Sequence, residues 1–144
     1  MNIGPLEYIV ISINNKQLIK DLPSELKAIH KTGKIRVVDL IFVTKASDGS
    51  VKIQEVNELD ASELMAYKDI AGDLMGLLTA QDIEQLTLQI PSNSSAGVIL
   101  FEHTWVNGLT EIVRKGGETV FAVGMVSHET LAQINAEIAV AKED

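Results

Sequence analysis

The chain has 144 residues, 46% hydrophobic and 22% charged, which is the balance of an ordinary globular protein about one domain long. Its formal net charge is −8, with 12 Lys and Arg against 20 Asp and Glu and no basic cluster. Because nucleic-acid backbones are bound largely through Lys and Arg, we expect no nucleic-acid partner. The absence of cysteine excludes disulfides, thiolate metal sites and a cysteine nucleophile.

Targeting and membrane signals are not evident in the sequence. Residues 1–7 lack a basic region followed by an apolar stretch, so we expect no secretory signal. The longest apolar candidate, Ile70–Leu78, is interrupted by Asp73 and falls far short of the roughly 20 residues that span a membrane. We therefore expect a soluble cytoplasmic protein without a membrane span, with residues 1–144 forming a single domain.

The first third of the chain predicts a strand, a helix and a second strand. Leu6–Ile13 is apolar at odd and even positions, as in a strand that is covered on both faces or lies centrally in the sheet. Pro23 is tolerated in the first turn of a helix, which predicts a helix start near Asp21, and Gly33 is a natural left-handed C-cap. Ile35–Lys45 is strongly β-branched and predicts the second strand.

The next segments predict a hairpin and two helices. Asp48-Gly49 between apolar runs predicts a hairpin leading to a half-exposed edge strand, Val51–Val56. A capping-box pattern at Asp60–Glu63 predicts one helix start, and Thr79–Asp82 predicts another. Pro91 is expected to end the second helix.

The last third repeats the strand–helix–strand pattern. Val98–Phe101 predicts a strand, Thr119–Val126 predicts its return strand, and Ser127 is expected to cap a final helix. The helix between the two strands has three apolar residues on one predicted buried face: Trp105, Leu109 and Ile112.

Two such halves favour an α+β, ferredoxin-like two-layer sandwich, built from two βαβ halves with a mostly antiparallel sheet and helices on one face. The extra helices at 60–90 and 127–141 are expected to cover an edge or the other face. Without such cover, that face would be an oligomer interface. The central prediction is that the segments before Lys45 and after Ser95 supply neighbouring strands of one sheet.

The densest group of chemically versatile side chains is Glu102-His103-Thr104-Trp105, at a predicted strand-to-helix junction where ligands often bind. Glu102 and His103 could form an acid/base pair or bind a ligand. The structural alternative makes Thr104 a helix cap, Trp105 a core anchor, and Glu102 and His103 exposed connectors. Adjacent strand residues point to opposite faces, which argues against joint action of Glu102 and His103.

Asp39 interrupts an apolar strand, where a carboxylate is costly unless it is paired or hydrogen-bonded. It is either a functional acid or a structural group that pairs with a Lys or Arg or caps a helix crossing the sheet. Arg36 has the opposite strand parity, so the sequence makes it a poor same-face partner.

Metal and cofactor motifs are not found in the sequence. The three histidines form no His-x-His or His-x-x-x-His pair. The segment Gly72–Gly76 lacks the Lys-Ser/Thr ending of a phosphate-binding loop, and no serine has a Gly-x-Ser-x-Gly setting. We therefore predict no metal and no cofactor.

Segments across nearly the whole chain carry a family resemblance: Gly4–Tyr8, Gly33–Leu40, Lys45–Gly49, Ser94–Ala96, Glu102–Trp105 and Gly116-Gly117. They resemble small bacterial proteins classed as domains of unknown function, and Ile35–Leu40 and Glu102–Trp105 are the most specific parts. Related members are classed as membrane proteins and carry a Gly/Ala-rich apolar insertion between the halves. Here Ala66–Leu78 is short and contains three charged residues, which removes that membrane interpretation. The resemblance implies no established activity, cofactor or catalytic residue.

We predict a non-enzymatic, self-associating binding or regulatory module, a homo-oligomer that binds a small molecule or a protein partner. The reason is an apolar sheet with few evident covers and no assembled catalytic group. The alternative is a small dimeric α+β enzyme, in which two of Asp39, Glu102 and His103 share a concave site completed by Tyr8 or Trp105. These same five residues are the candidate pocket residues under either hypothesis.

Overall fold

The computed structural model describes residues 4–123 and 128–142. Their strands and helices are, in chain order, β1 (Leu6–Ser12), α1 (Lys16–Lys31), β2 (Arg36–Lys45), β3 (Val51–Glu55), α2 (Ala61–Ala66), α3 (Lys68–Ala71), α4 (Ala80–Thr87), β4 (Ser94–Glu102), α5 (Trp105–Lys115) and α6 (His128–Lys142). A 3₁₀ turn, Val56–Glu58, connects β3 to α2.

Four strands form one antiparallel sheet in the order β1-β4-β2-β3. β4 pairs with β1 on one side, where Leu6 lies opposite Glu102, and with β2 on the other. β2 and β3 are joined by the predicted hairpin, in which Gly49 has a φ of 85°. The structure therefore confirms a mixed α+β class. It also confirms that the segments before Lys45 and after Ser95 are neighbours in one sheet.

The more specific prediction of a ferredoxin-like sandwich with two βαβ halves is not confirmed. β1, α1 and β2 form one βαβ unit, with β4 between its two parallel strands. The predicted return strand Thr119–Val126 is not found: residues 119–123 form no strand, and residues 124–126 lie outside the described residues. Phe121 is 98% exposed. A β-prone run becomes a strand only where it meets a pairing partner, and no strand among the described residues pairs with residues 119–123.

A β-bulge in β2 decides which residues face which helix. The register with β4 shifts between Val37 and Asp39, so Val38 is an extra residue and the alternation of β2 reverses there. The α1 face of the sheet packs against α1 and α3 through Leu26, Val37, Leu40, Phe42, Tyr67, Ile70 and Ile99. The α4 face packs against α4 through Ile41, Val43, Leu86, Ile90, Ala96 and Val98. α4 thus covers the second face, as expected for a helix within 60–90.

α1 begins earlier than the sequence predicts. The Asn15 side chain caps it by accepting a hydrogen bond from the Gln17 N–H at 2.9 Å, so the predicted start near Asp21 is wrong. An Asx-type cap of this kind satisfies a backbone donor in the first turn. At the other end Gly33 has a φ of 70°, as predicted for a left-handed cap.

Pro23 consequently lies inside α1, where it has no N–H to donate to the carbonyl of Ile19, four residues earlier. The Tyr67 hydroxyl donates to that carbonyl at 2.9 Å. This hydrogen bond from the segment joining α2 and α3 replaces the one that the proline removes, which explains how α1 continues through Pro23.

The predicted buried face of α5 is wrong. Its three apolar residues are 49%, 56% and 70% exposed: Trp105, Leu109 and Ile112. The adjacent side of the helix, about 100° round the axis, is half-buried and contains Val106, Thr110 and Val113. Periodicity identifies an apolar stripe but not the surface that covers it. Trp105 is therefore not a core anchor.

α6 presents exposed apolar residues as well, with Ile134 and Ile138 at 41% and 48%. It therefore does not cover the sheet, and its predicted cap, Ser127, lies outside the described residues. Among the helices of residues 4–123 and 128–142, none is both long enough and apolar enough to cross a membrane.

Candidate functional site

Glu102 ends β4 as a buried carboxylate whose two oxygens both accept hydrogen bonds. It is 3% exposed and lies opposite Arg36 in the register between β2 and β4. Arg36 donates from Nε and Nη2 to Oε1, at 2.9 and 2.7 Å. The Gly4 N–H donates to Oε2 at 2.7 Å. Glu102 is therefore not an exposed connector. It forms a buried ion pair with Arg36 and, together with the Gly4 N–H, links β2, β4 and the segment before β1.

Asp39 is also buried, at 6% exposure, and binds backbone N–H groups with both oxygens. The Leu40 N–H donates to Oδ1 and the Leu78 N–H to Oδ2, each at 2.9 Å. Beside it, the Met75 N–H donates to the carbonyl of the bulge residue Val38 at 2.7 Å. Together these contacts hold residues 75–78 against the part of β2 that β3 does not reach. Asp39 is thus hydrogen-bonded by backbone N–H groups. These partners are neither a Lys or Arg nor a helix cap, the two structural roles that the sequence suggested.

The bulge overturns the sequence argument about Arg36. Parity predicts opposite faces for Arg36 and Asp39, but their partners on β4 are Glu102 and Leu100, two residues apart. Both side chains therefore lie on the α4 face. The structure brings Asp39 and Glu102 to one face in adjacent cross-strand rows, yet each is engaged by its own structural partners.

Replacing Asp39 with asparagine is expected to lower the free energy of unfolding by about 1–3 kcal/mol. An amide keeps one acceptor oxygen but points an NH₂ group at the second backbone N–H, either that of Leu40 or that of Leu78. Urea denaturation measures the change. The control is Asp48→Asn, in an exposed turn where one side-chain oxygen accepts the Ser50 N–H, and we expect less than about 0.5 kcal/mol there. Equal effects of the two substitutions would contradict this role for Asp39.

His103 is held between two side chains, and both of its ring nitrogens are engaged. The Trp105 Nε1–H donates to Nδ1 at 3.1 Å, and Nε2 lies 2.9 Å from Glu7 Oε2. Because an indole N–H can only donate, the neutral ring carries its proton on Nε2 and donates it to Glu7. No ring lone pair is then left to act as a base. The sequence did not single out Glu7, since 96 residues separate it from His103 and only the register of β1 brings them together.

A cavity of about 200 Å³ opens beside this chain of hydrogen bonds, and we call it the His103 cavity. Its lining residues are Glu7, Tyr8, Ile9, Ile29, Ile35, Phe101 and His103. Tyr8, at the edge of the sheet, also lines a second cavity of about 420 Å³ with Leu100 and residues at the start of α4. A third cavity, of about 230 Å³, borders β1 at Val10–Ser12. Cavities therefore lie beside β1 on both faces of the sheet.

β1 is an outer strand, and within the described residues its second edge has no neighbouring strand. The Pro5 carbonyl accepts from the His103 N–H at 2.8 Å, and the Ile13 N–H donates to Ser95 at 3.0 Å. These odd-numbered positions direct their backbone groups to β4, so the even-numbered ones direct theirs outward. Four residues of β1 thus present N–H and C=O groups at the open edge: Leu6, Tyr8, Val10 and Ser12.

The five candidate residues do not assemble an acid/base site. β4 ends at Glu102, so strand parity does not extend to His103. Glu102 lies on the α4 face in an ion pair, whereas His103 lines a cavity bounded by α1-face residues. Asp39 is engaged by backbone, and Trp105 is engaged by His103. Tyr8 and His103 share the His103 cavity. In the part of the chain that the structure describes, no three His, Asp or Glu side chains cluster as metal ligands would.

No protein-family model, curated protein or solved structure matches the chain. The resemblance to a bacterial family therefore stays a prediction.

Proposed function

We propose that this protein is a self-associating binding module whose copies pair through β1. Two β1 strands would run antiparallel and join two four-stranded sheets into one continuous sheet. The observation that carries the proposal is the open edge of β1, where four residues direct backbone N–H and C=O groups outward. Unpaired strand edges of this kind bind a further strand through main-chain hydrogen bonds.

The composition of the two outer strands supports β1 over β3. β1 has seven residues, LEYIVIS, with one charge, and three of its apolar side chains are 40–51% exposed: Leu6, Tyr8 and Ile9. β3 has five residues, including Lys52 and Glu55. Short length and charged side chains, especially lysine, discourage edge-to-edge pairing. β1 is longer than β3 and has no lysine, and its single charge, Glu7, is engaged by His103.

The backbone pattern of β1 also determines the register of the two paired β1 strands. Outward-directed residues must bond to outward-directed residues, so even positions pair with even positions. A two-fold axis at Ile9 pairs Tyr8 with Val10 and Leu6 with Ser12, and it uses the full length of the strand. Ile9 then faces its own copy, and Glu7 faces Ile11, which avoids two opposed carboxylates.

Charge substitutions at Ile9 test this pairing and its register. Ile9→Lys or Ile9→Glu alone places two like charges directly opposite each other, and we expect each variant to be monomeric at tens of micromolar, where the wild type is dimeric. An equimolar mixture of the two variants is expected to restore the dimer, because Lys then faces Glu. Size-exclusion chromatography with light scattering gives the mass in each case.

Ile53→Lys is the matched control, since Ile53 is a 39% exposed isoleucine on the other outer strand. We expect it to stay dimeric. A monomeric wild type at this concentration would refute self-association. Dimeric Ile9 variants, or a mixture that stays monomeric, would refute pairing at Ile9.

A further inference from the structure

We propose that the His103 cavity binds a small apolar molecule bearing one positive charge, such as an aryl- or alkylammonium ion. The cavity shares Glu7, Tyr8 and Ile9 with the strand proposed to pair. Ligand binding is tested by titration and pairing by molecular mass, so the failure of one proposal is distinguishable from the failure of the other.

The walls of the cavity set the size and the apolar character of the ligand. Four of the seven lining residues are apolar: Ile9, Ile29, Ile35 and Phe101. The volume is about 200 Å³, whereas a cavity of about 150 Å³ with similar walls holds benzene. A ring or chain of about six to eight heavy atoms therefore fits.

The polar rim sets the charge of the ligand. Glu7 supplies the carboxylate of the lining, and His103 donates to its Oε2 at 2.9 Å, which fixes the side chain in position. Within residues 4–123 and 128–142 no hydrogen bond engages Oε1, so this oxygen can accept one from an ammonium group. The net charge of −8 attracts cations to the protein and repels anions.

The ring of His103 does not act as a base toward the ligand. Its Nδ1 accepts from Trp105 and its Nε2–H donates to Glu7, so its role is to hold the carboxylate. A cation at Oε1 is therefore coupled to Trp105 through this chain of hydrogen bonds. Trp105 is the only tryptophan in the sequence, so its indole N–H resonance reports on the site without overlap.

The test uses three probes of nearly equal shape and different charge: benzylamine, benzyl alcohol and benzoate. We follow the indole resonance of Trp105 and the methyl resonances of Ile9, Ile29 and Ile35 by NMR during each titration. Benzylamine is expected to shift both sets of resonances in a saturable manner and to bind about fivefold more tightly than benzyl alcohol, the upper range for one solvent-exposed ion pair. Benzoate is expected to bind more weakly than benzyl alcohol.

Two variants locate the site. Glu7→Gln is expected to bind benzylamine and benzyl alcohol equally, whereas the control Glu111→Gln, with the same charge change at a 51% exposed glutamate on α5, keeps the fivefold preference. Ile29→Phe fills the cavity and is expected to abolish binding of all three probes while thermal unfolding stays cooperative. Absence of saturable methyl shifts with any probe would overturn the proposal, as would equal affinity of the wild type for benzylamine and benzyl alcohol, or a preference that survives Glu7→Gln.

Discussion

Replacing Glu102 with alanine is expected to lower the free energy of unfolding by about 3 kcal/mol. The change leaves the Arg36 guanidinium and the Gly4 N–H without their acceptor in a site where the carboxylate side chain is 4% exposed. Breaking one side of a buried pair costs about 3–5 kcal/mol. The lower figure applies because the Arg36 side chain is 27% exposed and regains some water. Urea denaturation measures the change, provided that its slope with urea stays constant.

Asp69→Ala is the control for Glu102→Ala. Asp69 forms an ion pair with Lys27 at 3.1 Å, but the two side chains are 40% and 46% exposed. Removing this exposed pair is expected to cost less than about 1 kcal/mol. Similar costs for the two substitutions would show that burial of Glu102 does not determine its contribution.

Features that depend on a few neighbouring residues were predictable from the sequence. The Asp60 side chain accepts from the Glu63 N–H at 2.9 Å, and Thr79 and Asp82 form a reciprocal capping box, as expected. The Asp48-Gly49 hairpin also forms where expected. In each case the side chain or glycine satisfies a requirement of the local backbone, so the sequence contains the whole signal.

Features that depend on pairing between distant segments were not predictable in this way. The bulge at Val38 reverses the facing of β2 and places Arg36 and Asp39 on one face, which simple parity excludes. Glu7 reaches His103 only through the register of β1 with β4. Pro23 was expected in a first turn because the sequence alone does not show that Tyr67 can satisfy the carbonyl of Ile19.

Replacing Tyr67 with phenylalanine is expected to lower the free energy of unfolding by about 1–3 kcal/mol, because the partly buried carbonyl of Ile19 loses its donor. Tyr67 is 1% exposed, so water cannot easily replace the hydroxyl. In a Pro23→Ala background the residue at 23 regains an N–H that can donate to the same carbonyl. There the cost of Tyr67→Phe should fall below about 1 kcal/mol. A cost that is unchanged by Pro23→Ala would refute the link between the proline and the hydroxyl.

The same burial makes the contribution of Tyr67 to stability depend on pH. Burial, together with the negative charge of Glu63, raises the pKa of Tyr67 from the ordinary value of 10 to about 12. Below pH 10 the folded and unfolded states both keep the proton, and the contribution is fully present. Between pH 10 and about 12 the unfolded state ionises first, so on the order of 3 kcal/mol is lost as pH rises. The wild type should therefore lose stability relative to Tyr67→Phe over this range.

Absorbance of the phenolate measures the ionisation of Tyr67 directly. The sequence has two tyrosines, so in a Tyr8→Phe background the signal comes from Tyr67 alone. We expect this signal to appear near pH 12, or earlier only in step with loss of the native circular dichroism spectrum. The buried hydroxyl ionises either at its raised pKa in the folded protein or once unfolding exposes it. Phenolate formation near pH 10 with the native spectrum intact would mean that the hydroxyl is open to solvent. In that case the hydrogen bond to Ile19 could not be what allows α1 to continue through Pro23.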